Sequence, residues 1–352
     1  MYIKVSGGDT IVDIDVLDYL FYILYFPKII SGPIVEPKAL IEQIHDEGRK
    51  HIEWDNVASG ARIFCYGLFK KMLLADTFSK VVTYGLGNIE TLTAMDIFIV
   101  MLSYTFEIYF DFSGYSDMGV GISQMINIEL PINFDSPYKA LSIRDFWKRW
   151  HISLTSFLTK YIYIPLGGSR KGKVRTYINT MIVFVVSGIW HGANYTFILW
   201  GILHGVFSIA DRLTEKIQSK IFDAVRWVVT FGIVNVLWLL FASESISQWK
   251  WMIMKMIEMK STEISESILN LFVLPESNWI QDVLHLNDVA YVIRGFWFLL
   301  FMFAAFFICL IPENNYKMRK RVSYVGAVVS AVAFVWAFLC LGTESTFVYF
   351  GF

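Results

Sequence analysis

Three long apolar stretches near the C-terminal end most strongly constrain how this chain can fold. Ile221–Ala242, Val289–Ile311 and Val322–Leu341 are each long enough to cross a bilayer as an α-helix, which takes about 20 residues. Within a bilayer only helices and closed barrels satisfy every backbone N–H and C=O group. Of the 352 residues, 55% are hydrophobic and only 17% are charged, whereas soluble domains carry about a quarter charged residues. The sequence therefore predicts an all-α polytopic membrane protein with about seven to nine membrane segments.

Other features argue against several classes of function. The net charge of −1 gives no electrostatic reason to expect a nucleic-acid partner. The cysteines, Cys65, Cys309 and Cys340, form neither a CxxC metal motif nor an evident disulfide framework, and we expect no metal site. The GxSxG, HExxH and Walker A motifs are absent, which disfavours serine hydrolases, zinc proteases and ATP-driven pumps. The polar, acidic residues after Met1 do not resemble a cleavable signal peptide.

Two apolar segments near the N-terminus are interrupted or carry charge. Asp18–Val35 contains two prolines and a glycine, so its free backbone groups need partners in neighbouring helices or in a water-lined cavity. Val57–Asp76 contains Lys70 and Lys71. We predict that this second segment is a short span or an interfacial helix whose lysines reach toward the lipid headgroups.

The next segment, Met95–Phe112, is predicted to span the membrane, and the small residues that follow it allow close approach of another helix. Asp111 and Asp117 lie in this membrane-like region. A carboxylate there needs a partner, and we expect an internal ion pair with a cation such as Arg144 or Arg149.

A segment that does not span the membrane, Asn127–Lys173, contains a predicted amphipathic helix. Ser142 and Asp145 match a capping box at its start. Its apolar residues recur at i, i+3, i+4 and i+7 and so share one face: Trp147, Trp150, His151, Leu154, Phe157 and Leu158. We predict a helix that lies in the interface or re-enters the protein.

A second histidine, His191, lies in the WHG turn Trp190–Gly192 between two apolar segments, Thr176–Ile189 and Tyr195–Ala210. Both segments are somewhat short for a full crossing, so we expect His191 within the membrane thickness. The lysine and arginine bias predicts that three basic stretches are cytoplasmic: Gly167–Arg175, Arg212–Lys220 and Lys317–Arg321. It also predicts that Ser243–Asp288 lies outside and that the WHG turn faces the outer side.

Histidines are the candidate catalytic residues. The unperturbed pKa of imidazole is about 6.5, which suits a general base near neutral pH, and we favour that function for His191 over an interior histidine bonded to a helix carbonyl. For His151 a packing role and a functional role are equally open. His204 is predicted to satisfy a helix contact. A set of basic residues either holds the phosphates of a cofactor such as a coenzyme A or obeys the positive-inside rule: Arg144, Lys148, Arg149, Arg170, Lys171, Lys173 and Arg175.

Several motifs in this order resemble the membrane-bound O-acyltransferases, in the branch around bacterial alginate O-acetylation proteins. They are FPKIISGPI (Phe26–Ile34), YFDFSGYSDMGVG (Tyr109–Gly121), INFDSPY (Ile132–Tyr138), SIRDFWKRWHISL (Ser142–Leu154), YIYIPLGGSRKG (Tyr161–Gly172), SGIWHGANYTFILWGILHG (Ser187–Gly205) and TFVYFGF (Thr346–Phe352). The YIPLGG form is closer to alginate and peptidoglycan acetylation than to teichoic-acid D-alanylation.

The resemblance implies a helical bundle around a tunnel, with re-entrant or interfacial helices, in the bacterial cytoplasmic membrane. It implies transfer of an acyl group, usually acetyl, from a cytoplasmic thioester such as acetyl-CoA to a hydroxyl of a cell-surface polymer. An extracytoplasmic partner protein that relays the group is a further expectation. His191 corresponds to the catalytic histidine and His151 to the second polar residue of the tunnel. Arg149, Arg170 and Lys171 are the expected donor-binding cations, and no permanently bound cofactor is expected.

The organisation expected from these motifs is a single membrane domain, 1–352, with a catalytic core at 110–205 and without the additional helices that usually precede the first motif. Two other classes of function remain open from the residues alone. Broken helices and buried ionisable groups also mark the paths of transporters and flippases. A membrane scaffold without chemistry is the third possibility.

Overall fold

The fold is built from helices joined by turns and by irregular segments. The computed structural model describes residues 14–29, 32–283, 285, 289–318 and 323–342. The motif Thr346–Phe352, residues 30–31 of the first motif, residues 1–13 and residues 319–322 lie outside the described residues. Within the described ranges there is no β-strand, which confirms the predicted all-α class.

The helices follow one another in this order: α1 Val16–Leu24, α2 Phe26–Ile29, α3 Pro37–His45, α4 Trp54–Phe69, α5 Asp76–Gly87, α6 Ala94–Met125, α7 Ile143–Arg149, α8 Ile152–Leu158, α9 Lys173–His191, α10 Tyr195–Gln218, α11 Asp223–Ala242, α12 Ile246–Glu258, α13 Glu266–Leu271, α14 Pro275–Val283, α15 Ala290–Leu310, α16 Asn315–Met318 and α17 Tyr324–Leu339. Single π-helical stretches follow α4 (Lys70–Ala75) and α8 (Thr159–Tyr163).

Helix α6 is the central element. Its 32 residues join the predicted span and the small-residue segment after it into one helix, which begins at a capping box formed by Thr93 and Asp96. Of its most apolar 18-residue window, 89% is buried inside the protein, against 22% for α15. Helix α6 is therefore surrounded by other parts of the protein, whereas much of the surface of α15 faces outward.

Glycines bring α4 and α6 into close contact at two levels. A Cβ atom added to Gly67 would lie 2.6 Å from the carbonyl oxygen of Gly114, and one added to Gly60 would lie 2.5 Å from that of Gly121. The glycines in each helix are seven residues apart, so both contacts fall on the same faces. The predicted close approach at the small residues of α6 is confirmed, and α4 is the partner helix.

The lysines at the end of α4 point into the protein, so the prediction that they reach toward the headgroups was wrong. Lys71 is 8% exposed and pairs with Asp111 at 2.8 Å and with Asp76 at 2.9 Å. Lys70 pairs with Asp117 at 2.7 Å. Because a π-helical stretch begins at Lys70, these consecutive lysines both reach carboxylates near α6. The internal ion pairs were predicted correctly, but their expected arginine partners were wrong.

The predicted amphipathic helix is two short helices. Ser142 caps α7 by accepting a hydrogen bond from the backbone N–H of Asp145 at 3.1 Å, as predicted, but the Asp145 carboxylate accepts from the N–H of Leu141 at 3.4 Å, so the predicted capping box is only half formed. The helix ends at Arg149, and α8 begins at Ile152 after His151 adopts left-handed backbone angles with φ of 44°. The prediction of one continuous helix was therefore wrong, although Trp150, His151 and Leu154 are all buried as the apolar stripe indicated.

Helices α9 and α10 form a closely packed hairpin. A Cβ atom on Gly188 would lie 2.4 Å from the carbonyl oxygen of Phe197, and one on Gly201 would lie 2.4 Å from that of Phe184. Helix α9 continues through His191, and α10 runs for 24 residues, which is longer than predicted. The turn is therefore confined to residues 192–194, and His191 is the last residue of a helix.

Within the described ranges, four helices are long and apolar enough to cross a membrane: α6, α10, α11 and α15. Helix α17 is apolar but has 16 residues. Helices α11 and α15 match the predicted spans closely, and α17 lies within the third. The shorter helices, including α1, α2, α7 and α8, account for the broken segments that the prolines and the non-spanning region indicated.

Candidate active site

The ring of His191 is held by three aromatic side chains. Its centroid lies 4.9 Å from that of Trp190, 5.4 Å from Trp200 and 5.1 Å from Phe241, and each pair is edge to face. Trp200 comes from α10 and Phe241 from α11. The His191 residue is half-buried, and these three contacts fix the orientation of its ring.

The turn after His191 is closed by Asn194. Its side-chain oxygen accepts a hydrogen bond from the N–H of Thr196 at 3.1 Å, which caps α10. Its side-chain nitrogen donates to the carbonyl of Glu244 at 2.8 Å and so ties the turn to the end of α11. Asn194 therefore holds the turn in place.

His151 is buried at the break between α7 and α8. Its imidazole lies 4.7 Å from the ring of Phe112 on α6, edge to face. The backbone beyond it is anchored by Asn133, whose carbonyl accepts from the N–H of Ile152 at 3.0 Å and whose side-chain oxygen accepts from the hydroxyl of Ser153 at 2.6 Å. The two predicted histidines are 40 positions apart in the sequence, yet both lie in one connected set of aromatic side chains.

Tryptophans connect the two histidines. Trp150, which precedes His151, lies 4.9 Å from Trp238 on α11. Trp238 stacks on Trp200 at 5.8 Å, and Trp200 contacts His191. Our reading of the sequence assigned no role to Trp200, Trp238 or Phe241. Aromatic residues in apolar helices usually pack in the core, so the sequence pattern did not distinguish these three. The fold places them around the histidines.

His204 makes the helix contact that was predicted for it. The indole Nε1 of Trp147 donates a hydrogen bond to its Nδ1 at 3.1 Å, and His204 is 1% exposed. Its ring also lies 4.7 Å from Trp200. His204 therefore joins α10 to α7. It lies one helical turn after Trp200, which contacts His191.

The basic candidates differ in exposure and in pairing. Arg149 is half-buried and pairs with Asp145 at 2.9 Å. Arg144 pairs with Glu215 at 3.4 Å. Arg170 and Lys171 are exposed in the turn before α9. Arg170 and Lys171 can meet an anion from solvent, whereas Arg149 is already engaged.

This arrangement suits acid–base chemistry at a hydroxyl. The imidazole of His191 is held in one orientation, that of His151 is buried, and both lie among aromatic side chains, where water competes little with a reacting group. Among the described residues, no group of three or more histidine, cysteine, aspartate or glutamate side chains is placed to hold a metal ion.

Comparison with known proteins identifies the family. A family model for membrane-bound O-acyltransferases matches residues 5–246. The chain is 34% identical over 342 residues to a protein named peptidoglycan O-acetyltransferase from Helicobacter pylori, which covers 96% of this chain and 64% of that protein. It is 38% identical over 245 residues to a protein named probable alginate O-acetylase AlgI from Pseudomonas putida, covering 69% of this chain and 50% of that protein.

A more distant relative is named teichoic acid D-alanyltransferase, from Bacillus subtilis, with 28% identity over 227 residues, covering 61% of this chain and 57% of that protein. This order of identities confirms the branch that the motifs predicted. The chain spans between half and about two thirds of the length of these relatives. Because the family model covers more than half of the chain, and the first relative aligns with nearly all of it, this chain belongs to the membrane-bound O-acyltransferase family.

Proposed function

We propose that this chain transfers an acetyl group from a cytoplasmic thioester to a hydroxyl of a cell-surface polysaccharide or peptidoglycan, or to a partner protein that relays the group. The observation that carries the proposal is that His191 and His151 belong to one connected set of aromatic side chains, which includes Trp150, Trp238 and Trp200. The names of the relatives, which include acetylation of peptidoglycan and of alginate, support the choice of acyl group and acceptor. A multi-pass position in the bacterial cytoplasmic membrane is part of this proposal.

In the proposed reaction His191 is the general base. It takes the proton from the acceptor hydroxyl while the hydroxyl oxygen attacks the thioester carbonyl, a contribution typically worth roughly 10²–10⁴-fold in rate. When the carbon–sulfur bond breaks, the imidazolium returns the proton to the leaving thiolate. The ester and the free thiol are then the products, and both atoms and protons balance. The edge-to-face contacts with Trp200 and Phe241 support this role, because they hold the ring in one orientation.

His151 is proposed to orient the thioester or to donate a hydrogen bond to the oxyanion that develops on the carbonyl. Its burial supports the role, since a hydrogen bond is stronger where water is excluded. Its left-handed backbone is uncommon for a residue other than glycine, and such strain persists only where the surrounding contacts impose it. The hydrogen bonds from Ile152 and Ser153, the first two residues of α8, to Asn133 supply that constraint.

The donor is proposed to arrive at the basic turn before α9. Arg170 and Lys171 are exposed there and would attract the phosphates of an acyl-CoA. Arg149 is proposed as a donor-binding residue closer to His151. Because its guanidinium pairs with Asp145, it would bind the donor while it keeps that ion pair.

Acetyl transfer by His191 variants tests the proposal. Membranes that contain the protein and its partners are given labelled acetyl thioester, and label on the surface polymer is measured. We expect no transfer with His191→Ala, and almost none with His191→Gln, which keeps a hydrogen bond but cannot accept the proton. His51→Ala, whose side chain is 59% exposed in a loop, is the matched control and should transfer normally.

Near-normal transfer by a folded His191→Ala protein would contradict the mechanism. Thioester turnover by the purified protein separates an acyltransferase from a transporter, a flippase or a scaffold, because only the enzyme breaks the carbon–sulfur bond.

A further inference from the structure

Trp190 is an exposed aromatic residue in direct contact with His191. Its ring lies 4.9 Å from that of His191 between centroids, and the two rings are nearly perpendicular. Trp200 and Phe241, which also contact His191, are buried, whereas Trp190 is 54% exposed. More than half of this tryptophan is therefore uncovered directly beside the proposed general base.

Polar side chains lie against the same turn. Asn194 donates to the carbonyl of Glu244 at 2.8 Å, so the segment after α11 is held at the turn between α9 and α10. The Glu244 residue is exposed, and no lysine or arginine in the described part of the chain pairs with its carboxylate. The N–H of Glu244 donates to the side-chain oxygen of Gln248 at 2.7 Å, which leaves the NH₂ group of that amide as a donor. A carboxylate and an amide donor thus belong to the surface around the turn.

This combination of groups matches the two kinds of surface on a sugar ring. The C–H groups of a pyranose form an apolar face, which packs on the electron-rich face of an indole. The hydroxyls around the ring donate to a carboxylate and accept from an amide NH₂ group. A lipid chain would also cover the indole, but it offers no hydrogen bond to the Glu244 carboxylate. The charge and the amide therefore favour a sugar over a lipid as the partner of this surface.

We propose that Trp190 binds a sugar ring of the acceptor by stacking, and that Glu244 and Gln248 bind the hydroxyls of the same sugar. The inference rests on the proposed function, because it takes the acceptor to be a polysaccharide and not the partner protein that relays the group. A ring stacked on Trp190 brings its hydroxyls toward His191, since the indole contacts the imidazole. These three residues bind the acceptor and take no part in proton transfer.

Binding of soluble oligosaccharides, measured separately from transfer, tests the proposal. The purified full chain in detergent is mixed with labelled oligosaccharides released from peptidoglycan or from alginate, and the Kd is determined by equilibrium dialysis. We expect the wild type to bind one of the two sets, and His191→Gln to bind it equally well. Trp190→Ala should weaken binding roughly 2- to 10-fold, and Trp190→Phe, which keeps an aromatic face, much less. Glu244→Gln should weaken it roughly 5- to 10-fold, because hydrogen bonds to a charged group are stronger than those to a neutral one.

Two variants in other parts of the chain are the matched controls. Trp54→Ala removes a tryptophan that is 72% exposed at the start of α4. Glu263→Gln removes an exposed charge in the segment before α13. Both should bind the oligosaccharides as the wild type does. Where acetyl transfer to the oligosaccharide is followed, Trp190→Ala should raise the KM for the acceptor and change kcat little, which is the signature of lost binding.

The proposal is overturned if the wild type binds neither set of oligosaccharides, or if folded Trp190→Ala and Glu244→Gln proteins both bind as tightly as the wild type. Lower thermal stability of Trp190→Ala with an unchanged Kd would assign this residue to anchoring at the membrane surface and overturn its role in binding. If Trp190→Ala does not fold, the Kd of Glu244→Gln decides. Oligosaccharide binding without acetyl transfer would contradict the proposed function and leave the sugar surface in place, so the two failures are distinguishable.

Discussion

Trp147 donates a hydrogen bond from its indole Nε1 to Nδ1 of His204 at 3.1 Å, and this bond fixes the state of the histidine. An indole N–H can only donate, so Nδ1 must carry a lone pair, and the ring proton is on Nε2. The bond also ties the last turn of α7 to the middle of α10. His151 lies two residues after the end of α7, and Trp200, which contacts His191, lies one turn before His204. The contact therefore helps to set how the two candidate catalytic histidines stand relative to each other.

The first prediction concerns the acceptor in this bond. His204→Gln keeps an oxygen that can accept from the indole, whereas His204→Leu leaves a buried N–H without a partner. We expect His204→Leu to lower the free energy of unfolding by about 1–3 kcal/mol and His204→Gln to lower it much less. Thermal unfolding of the purified proteins in detergent measures the difference. Equal stability of the two variants would mean that the hydrogen bond does not hold α7 to α10.

The second prediction concerns the buried lysine of the π-helical stretch. Lys71→Met removes the cation between Asp111 and Asp76 and leaves buried carboxylates without it. We expect a loss of about 3–5 kcal/mol in stability, the usual result of removing one partner of a buried pair. Adding Asp111→Asn should restore part of the loss. Lys80→Met, at an exposed position on α5, serves as the control and should unfold with the wild type. A Lys71→Met protein as stable as this control would contradict the prediction.

The third prediction concerns the contact between α4 and α6. Gly67→Ala places a methyl group 2.6 Å from the carbonyl oxygen of Gly114, and backbone atoms cannot yield as a flexible side chain can. We expect a loss of about 1–3 kcal/mol, as for other overpacked sites. Gly232→Ala in α11 meets nothing within 4 Å and should be neutral or slightly stabilising, because alanine favours a helix. If the two variants unfold at the same temperature, the helices do not pack as closely as described.

The fourth prediction concerns orientation. The basic stretch that begins at Lys317 should be cytoplasmic, and Ser265, which caps α13, should be outside. Single cysteines at the two positions, in a background without Cys65, Cys309 and Cys340, are treated in intact cells with an impermeant thiol reagent. Only the cysteine at 265 should react, and the one at 317 should react after the cells are opened. Strong labelling at 317 in intact cells would reverse the assignment.

The sequence by itself determined the class of the protein and most of its spans. Helices α11 and α15 lie where uninterrupted apolar runs are long enough to cross a bilayer, because the free energy of inserting such a run depends on its local composition. Capping by Ser142 was also predictable, since the hydrogen bond joins residues three apart. The motifs around His151 and His191 likewise singled out both residues before any contact was known.

Tertiary structure alone decided which groups meet. Asp111 pairs with Lys71, whereas Arg144 and Arg149 pair with Glu215 and Asp145, because the glycine contacts place α4 against α6. The chain breaks at His151 although the apolar periodicity continues through it, since Asn133, from outside the helix, bonds the backbone on the far side. Trp238 belongs to the same enclosure only because α11 packs across both histidine-bearing segments. Each of these outcomes depends on contacts between residues distant in sequence, and local pattern carries no information about such contacts.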